Sequence, residues 1–168
     1  MEASHGQSHA LNKAHVITVS DGVFHGTRED KSGPALRGLL SRSDFEVGDP
    51  EVVPDDVALI SEAIETAITL GADVVVTVGG TGLGPRDVTP QATAALIEFE
   101  VPGIAEEMRR AGVASTPMAA LSRAIAGVRG KTLIINVPGS VKGATESLEA
   151  VMPMLGHAVK LLHGDTAH

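Results

Sequence analysis

The stretch Asp73-Val74-Val75-Val76-Thr77-Val78-Gly79-Gly80-Thr81-Gly82 decides the fold. Val74 to Val78 is an apolar run without polar alternation, bounded by Asp73 and Gly79, the pattern of a central parallel strand buried on both faces. A second such run, His15 to Ser20, lies upstream and ends in Asp21-Gly22, and a third, Thr132 to Val137, lies downstream and is closed by Pro138-Gly139. Between them the apolar period lengthens to that of helices. Ser32 is read as the N-cap of a helix carrying Leu36, Leu39 and Leu40. Pro54-Asp55-Asp56 opens one carrying Val57, Ile60, Ile64, Ala67 and Ile68, terminated by Gly71. Thr89-Pro90 is read as an N-cap with proline at the first helical position, followed by Ala92, Ala95, Leu96 and Phe99.

The remaining segments carry weaker patterns. Val23 to Lys31 is charged and contains Gly26, as an exposed loop does, and Phe45 to Val53 contains Gly48 and Pro50, which confine it to an edge or irregular strand. Gly103 to Arg110 reads as helix, and Val113 to Gly130 is left unassigned. From Ala144 a last helix carries Leu148, Val151, Leu155, Ala158, Val159 and Leu162, with Pro153 expected to kink or split it. Strands alternating with helices predict an α/β fold whose mostly parallel sheet is covered on both faces. Residues 14–163 are expected to form one domain, with residues 1–13 a flexible tail and 164–168 a frayed end.

Composition narrows the function. Apolar residues make up 43% of the 168, yet there is no Trp or Tyr and only three Phe, so the core is aliphatic and stacking platforms for single-stranded nucleic acid are absent. Thirteen Lys and Arg against twenty-one Asp and Glu give a formal charge of −8, the wrong sign for a polyanion partner. Without cysteine, thiolate chemistry is excluded, and the seven histidines lack zinc-ligand spacing. No apolar run approaches the ~20 residues that span a bilayer, and Met1 to Lys13 does not resemble a signal peptide; a cytoplasmic protein without membrane contact is expected.

Open parallel sheets bind ligands outside the carboxyl ends of their strands. Four segments fall there: Ser20-Asp21-Gly22, Val53-Pro54-Asp55, Gly79-Gly80-Thr81-Gly82 and Val137-Pro138-Gly139-Ser140. Successive glycines turn sharply and aim main-chain N–H groups at an anion, with Thr81 adding a hydroxyl, although a tight ligand-free connection has the same composition. Pro85-Arg86-Asp87-Val88-Thr89-Pro90 adds a cation and a carboxylate. Of the adjacent Asp55 and Asp56, one suffices as a helix cap, which leaves a spare carboxylate for a magnesium ion or for structure alone. Asp87 divides the same way between a salt bridge or cap and a metal or substrate contact. Pro138-Gly139-Ser140 with Lys142 reads as a turn with a surface lysine or as a phosphate contact, and Ser122-Arg123 reads as a solvated pair.

Thr18-Val19-Ser20-Asp21, Val53-Pro54-Asp55, Gly79-Gly80-Thr81-Gly82 with Pro85 to Pro90, Leu121-Ser122-Arg123, Gly127-Val128-Arg129-Gly130 and Asn136-Val137-Pro138-Gly139 together resemble the MogA/MoaB family of molybdenum-cofactor biosynthesis proteins, which includes the gephyrin G domain. The resemblance runs from His15 to His163. It implies a three-layer α/β sandwich, assembled as a homotrimer, that binds molybdopterin. In the MogA branch it implies transfer of AMP from ATP to molybdopterin with Mg2+ and release of pyrophosphate, and a molybdenum-insertion protein as a partner. By similarity Asp55 and Asp87 become the catalytic, metal-binding carboxylates, and Gly79, Gly80, Thr81 and Gly82 the phosphate loop. Ser20, Asp21, Ser122, Pro138, Gly139, Ser140 and Lys142 become nucleotide- or pterin-facing positions. Pro138-Gly139-Ser140-Val141 departs from the Pro-Gly-Asn-Pro of many adenylyltransferases and is similar to some MoaB proteins, for which a binding or scaffolding role without turnover is the alternative.

Overall fold

A computed structural model describes residues 10–166. Its sheet holds seven strands: β1 (Asn12–Val19), β2 (Phe45–Val47), β3 (Glu51–Val53), β4 (Val74–Val78), β5 (Phe99–Glu100), β6 (Ala126–Arg129) and β7 (Thr132–Val137). They run in the order β2-β1-β4-β7-β6-β5, with β3 also paired to β1. The β1, β2, β3, β4 and β7 pairings are parallel, and β6 is antiparallel to both β5 and β7. Gly48-Asp49-Pro50 splits the irregular strand expected over Phe45 to Val53 into β2 and β3.

Strand alternation divides the core. Val74, Val76 and Val78 face a layer formed by α2 (Ser32–Arg42), α5 (Pro102–Ser115) and α6 (Val141–Leu162), where Leu36, Leu40, Met108, Leu148 and Leu155 are buried. Val75 and Ile134 face the opposite layer, formed by α3 (Val57–Thr69) and α4 (Thr89–Ala94), with Ile60, Ile64 and Leu96. Each such Val, Leu or Ile contributes about 1.5–3 kcal/mol on burial. The result is the three-layer sandwich expected from the sequence. Among the described residues no helix is long and apolar enough to cross a membrane.

Several local expectations are corrected. β1 begins at Asn12, so Asn12 and Lys13 belong to the sheet and not to a tail; residues 1–9 and 167–168 lie outside the described residues. Part of the expected loop Val23 to Lys31 is instead the helical turn α1 (Asp21–Phe24), capped by the Ser20 hydroxyl. Ser32 is the first residue of α2, not its cap, because its hydroxyl donates to the Gly139 carbonyl. Thr89 likewise does not cap α4; its buried hydroxyl donates to the Gly79 carbonyl at 2.9 Å. Phe99 leaves the helix for the edge strand β5, and Val57 is 43% exposed while Ala63 takes the buried position. Pro153 does not split α6, which runs through it for 22 residues. The unassigned segment contains the end of α5, a short 3₁₀ helix (Pro117–Leu121) and β6.

Asn136 is fully enclosed by these layers, as are its partners Thr77 and Thr93. Asn136 donates to the Thr77 and Thr93 hydroxyls at 2.9 and 3.0 Å and accepts from the Ile125 amide at 3.3 Å, tying β4, β7 and α4 together. Replacing Asn136→Ala orphans these partners and is expected to lower unfolding free energy by about 2–4 kcal/mol, measured by urea denaturation.

Candidate functional site

Register brings the four strand ends level. Val19 pairs with Val53, Thr18 with Val78, and Val78 with Val137. The amide after each of two strands closes onto the next: Ser20 N–H donates to Val53 O at 3.0 Å and Gly79 N–H to Val137 O at 3.1 Å. Beyond these ends opens a cleft of 680 Å³ lined by Ser20, Asp55, Gly79, Gly80, Asp87, Gly139 and Ser140, together with residues of the segment Arg28 to Ser32.

Gly79 and Gly80 adopt φ of 108° and 69°, a region L side chains rarely enter. A Cβ on Gly79 would stand 2.3 Å from the Val19 carbonyl oxygen, and one on Gly80 2.3 Å from Thr89 Oγ1. The turn therefore requires glycine. It is a narrower cradle than the sequence suggests: the Gly79 amide is used by Val137, whereas the Gly80 amide has no acceptor among the described residues. Thr81 is buried and neither it nor Gly82 lines the cleft. Both are drawn away by Arg123, whose amide donates to Thr81 O at 2.8 Å and whose Nε donates to Gly82 O at 2.8 Å.

Asp21 and Asp55 form a reciprocal pair. Asp21 N–H donates to Asp55 Oδ2 and Asp55 N–H to Asp21 Oδ1, both at 2.9 Å. Arg86 forks onto Asp21 from Nε at 2.6 Å and Nη2 at 3.1 Å, and also donates to the Asp55 carbonyl at 3.1 Å. The guanidinium, with the Asp55 amide, holds the Asp21 carboxyl down to about 2. Asp55 shifts the other way: burial raises it, and the neighbouring Asp21 and Asp87 charges add to the rise. The helix cap belongs to Asp56, which accepts from Leu59 N–H at 3.0 Å, so Asp55 is the spare carboxylate. Asp87 Oδ2 accepts from Gly84 N–H at 2.9 Å, a turn-forming contact, and its guanidinium neighbour Arg86 is taken by Asp21.

The residues fit a magnesium ion held partly by substrate. Among the described residues no cluster of three metal-ligating side chains exists, so they form no all-protein cage. Asp55 and Asp87 nevertheless line one cleft, and each has a carboxylate oxygen without a hydrogen-bond donor among the described residues. One or two carboxylates completed by phosphate and water are how Mg2+ is commonly bound.

Ser122, Pro138 and Lys142 are placed elsewhere. They line a more apolar 240 Å³ cavity between α5, α6 and the 3₁₀ helix, together with Met108, Arg109 and Ala124. Ser140 borders both cavities. Arg123, read from the sequence as a solvated residue, braces the cleft side: besides the glycine turn it holds Asp87 O at 2.6 Å and Gln91 Oε1 at 3.4 Å. Its adjacency to Ser122 is the available signal, but a guanidinium that serves distant carbonyls leaves no local pattern.

Residues 15–157 match the family described as a probable molybdopterin binding domain. The molybdopterin adenylyltransferase of Helicobacter pylori strain J99 is 40% identical over 156 residues, covering 89% of this chain and 87% of that protein. The molybdenum cofactor biosynthesis bifunctional protein of Synechococcus elongatus is 40% identical over 90% of this chain but only 47% of its own length, so the chain spans about half of such relatives. The crystal structure of the molybdopterin biosynthesis enzyme MoaB from Thermus thermophilus superposes with a TM-score of 0.86 at 52% identity, covering 92% of this chain and 98% of that one.

The Arg86 fork has a measurable signature. Asp21 lies near 2 when folded against an ordinary 3.8, so its contribution to stability is complete above pH 3.8 and is lost as pH falls through 2. In Arg86→Gln the Asp21 carboxyl, followed by NMR titration, is expected to move up toward the ordinary range, and the variant to lose stability at higher pH than the parent.

Proposed function

The chain belongs to the family of probable molybdopterin-binding domains, and from that membership we propose that it is a molybdopterin adenylyltransferase of molybdenum-cofactor biosynthesis, acting in the cytoplasm as a homotrimer. An oxygen of the molybdopterin terminal phosphate attacks the α-phosphorus of ATP. The new P–O bond forms as the bond to the bridging oxygen breaks, and that electron pair leaves with pyrophosphate. The observation that carries the reading is the convergence of Asp55, Asp87 and the free Gly80 amide on one cleft. Such a transfer needs positioning and charge neutralisation more than covalent participation by the protein.

Each residue then has a task. Asp55 and Asp87 would hold Mg2+, which supplies positive charge to the phosphates when bound. The Gly80 N–H donates to a phosphate oxygen, and Ser20 and Ser140 present hydroxyls at the cleft edge. Arg86 and Asp21 fix the main chain of Asp55 without occupying its free oxygen. The adjoining apolar cavity, reached past Ser140, accommodates the less polar part of a substrate too large for the cleft alone. The product passes to a molybdenum-insertion protein.

A second reading has its own support in Ser140-Val141 and the 52% identity to a MoaB: the pocket binds molybdopterin without turnover. Pyrophosphate release from ATP, dependent on both magnesium and molybdopterin, separates the two. The transferase reading predicts release; pterin binding with none supports the second. Asp55→Asn keeps an acceptor for the Asp21 amide but loses the charge, so turnover is expected to fall by on the order of 10²–10³ while stability changes by less than ~1 kcal/mol. Asp56→Asn preserves the cap and is expected to leave turnover unchanged. Sedimentation at the mass of three chains tests the assembly, and a clean monomer contradicts it.

A further inference from the structure

The cleft has one wall with no role in the account above, the segment between α1 and α2. A single carbonyl, Gly22 O, accepts Thr27 N–H at 2.9 Å, Arg28 N–H at 3.1 Å and the Thr27 hydroxyl at 3.2 Å, which folds the segment back over α1. Its far end is tied down by Asp30, which accepts the Thr18 hydroxyl at 2.8 Å and the Gly33 amide at 2.9 Å. The Ser32 hydroxyl then binds Gly139 O at 2.7 Å, joining the segment to the turn after β7. Between these anchors Arg28, Glu29 and Lys31 line the cleft.

Among the described residues that line this cleft, Arg28 and Lys31 are the only Lys or Arg. Both are exposed, and neither side chain has a hydrogen-bond or ion-pair partner among the described residues. The other guanidiniums near the strand ends are committed, Arg86 to Asp21 and Arg123 to Gly82, Asp87 and Gln91. Of the two acids on the segment, Asp30 is taken by Thr18 and Gly33, and Glu29 is exposed and forms no ion pair with either cation. In a chain of net charge −8, two unpaired cations lining the same cleft as the Gly80 amide and the Asp55 and Asp87 carboxylates supply the positive charge an anionic ligand needs there.

Resting on the transferase reading, we propose that Arg28 and Lys31 form a phosphate clamp that grips a phosphate group of the bound substrate from the α1–α2 wall. Arg28 offers a planar fork to two oxygens, and Lys31 a point charge. The phosphate belongs either to the nucleotide or to the pterin, and the experiment separates these sources.

Wild type, Arg28→Gln, Lys31→Gln and the double variant are titrated calorimetrically, as the whole chain with Mg2+, against pyrophosphate, ATP and adenosine. Both side chains are solvent-exposed and none of the anchoring contacts uses either of them, so melting temperatures are expected to match. Each single change is expected to weaken ATP and pyrophosphate about tenfold, the loss of one charge-assisted hydrogen bond, and to leave adenosine unaffected. If pyrophosphate and ATP are unchanged but the KM for molybdopterin rises about tenfold, the clamp serves the pterin phosphate. Unchanged affinity for all three phosphate-bearing ligands overturns the clamp while leaving the transferase reading intact. A wild type that binds pyrophosphate through these residues yet never releases it from ATP upholds the clamp and overturns the transferase.

Discussion

The structure depends first on the parallel register of β1, β4 and β7. Their side chains alternate between two different helical layers, so a slip of one residue would exchange Val74, Val76 and Val78 on one face with Val75 and Thr77 on the other. The same register sets where each chain leaves the sheet. Gly79 passes so close to the Val19 carbonyl that no side chain fits between them. Core packing thus determines the relative height of every loop that lines the cleft, and the loops need little flexibility of their own.

Charge is distributed within that frame by pairing. Asp21 and Arg86 neutralise one another, and their contacts end on the main chain of Asp55. Asp55 is left partly buried, and that burial, with the Asp21 and Asp87 charges nearby, disfavours its ionised form. Arg123 plays a comparable part on the other side of the glycine turn, holding the carbonyls of Gly82 and Asp87. The cations nearest the carboxylates thus serve architecture, while the amide of Gly80 and the cations of the α1–α2 segment remain unpaired at the cleft among the described residues.

How much of this is legible in the sequence follows from range. Val74 to Val78, Thr132 to Val137 and the period of α3 are local patterns, and they locate the sheet, its helices and the edge where the cleft lies. Asp55, Gly79, Gly80, Asp87 and Gly139 fall on that edge for the same reason. The cap assignments that fail are those in which a hydroxyl has a distant partner in place of the local one. Ser32 and Thr89 look like caps, yet their hydroxyls go to Gly139 and Gly79. Thr81 and Gly82 are turned by Arg123, and Ser122, Pro138 and Lys142 border a second cavity that shares Ser140 with the cleft. Phe99 continues a helical period in sequence only; pairing with Val128 makes it strand.

The tie between Ser32 and Gly139 bridges 107 positions along the chain, and that between Asp21 and Asp55 bridges 34. Contacts of such span cannot reward partial folding, since the loop-closure entropy must be met before they form. During synthesis the cleft is therefore missing until the turn after β7 has emerged and docked, and no proteolytic piece ending before Gly139 retains it. Because the cleft is lined by the ends of β1 and β4 together with the turns after β3 and β7, a ligand held there would touch all four at once, and occupancy would report that this edge of the sheet has been assembled.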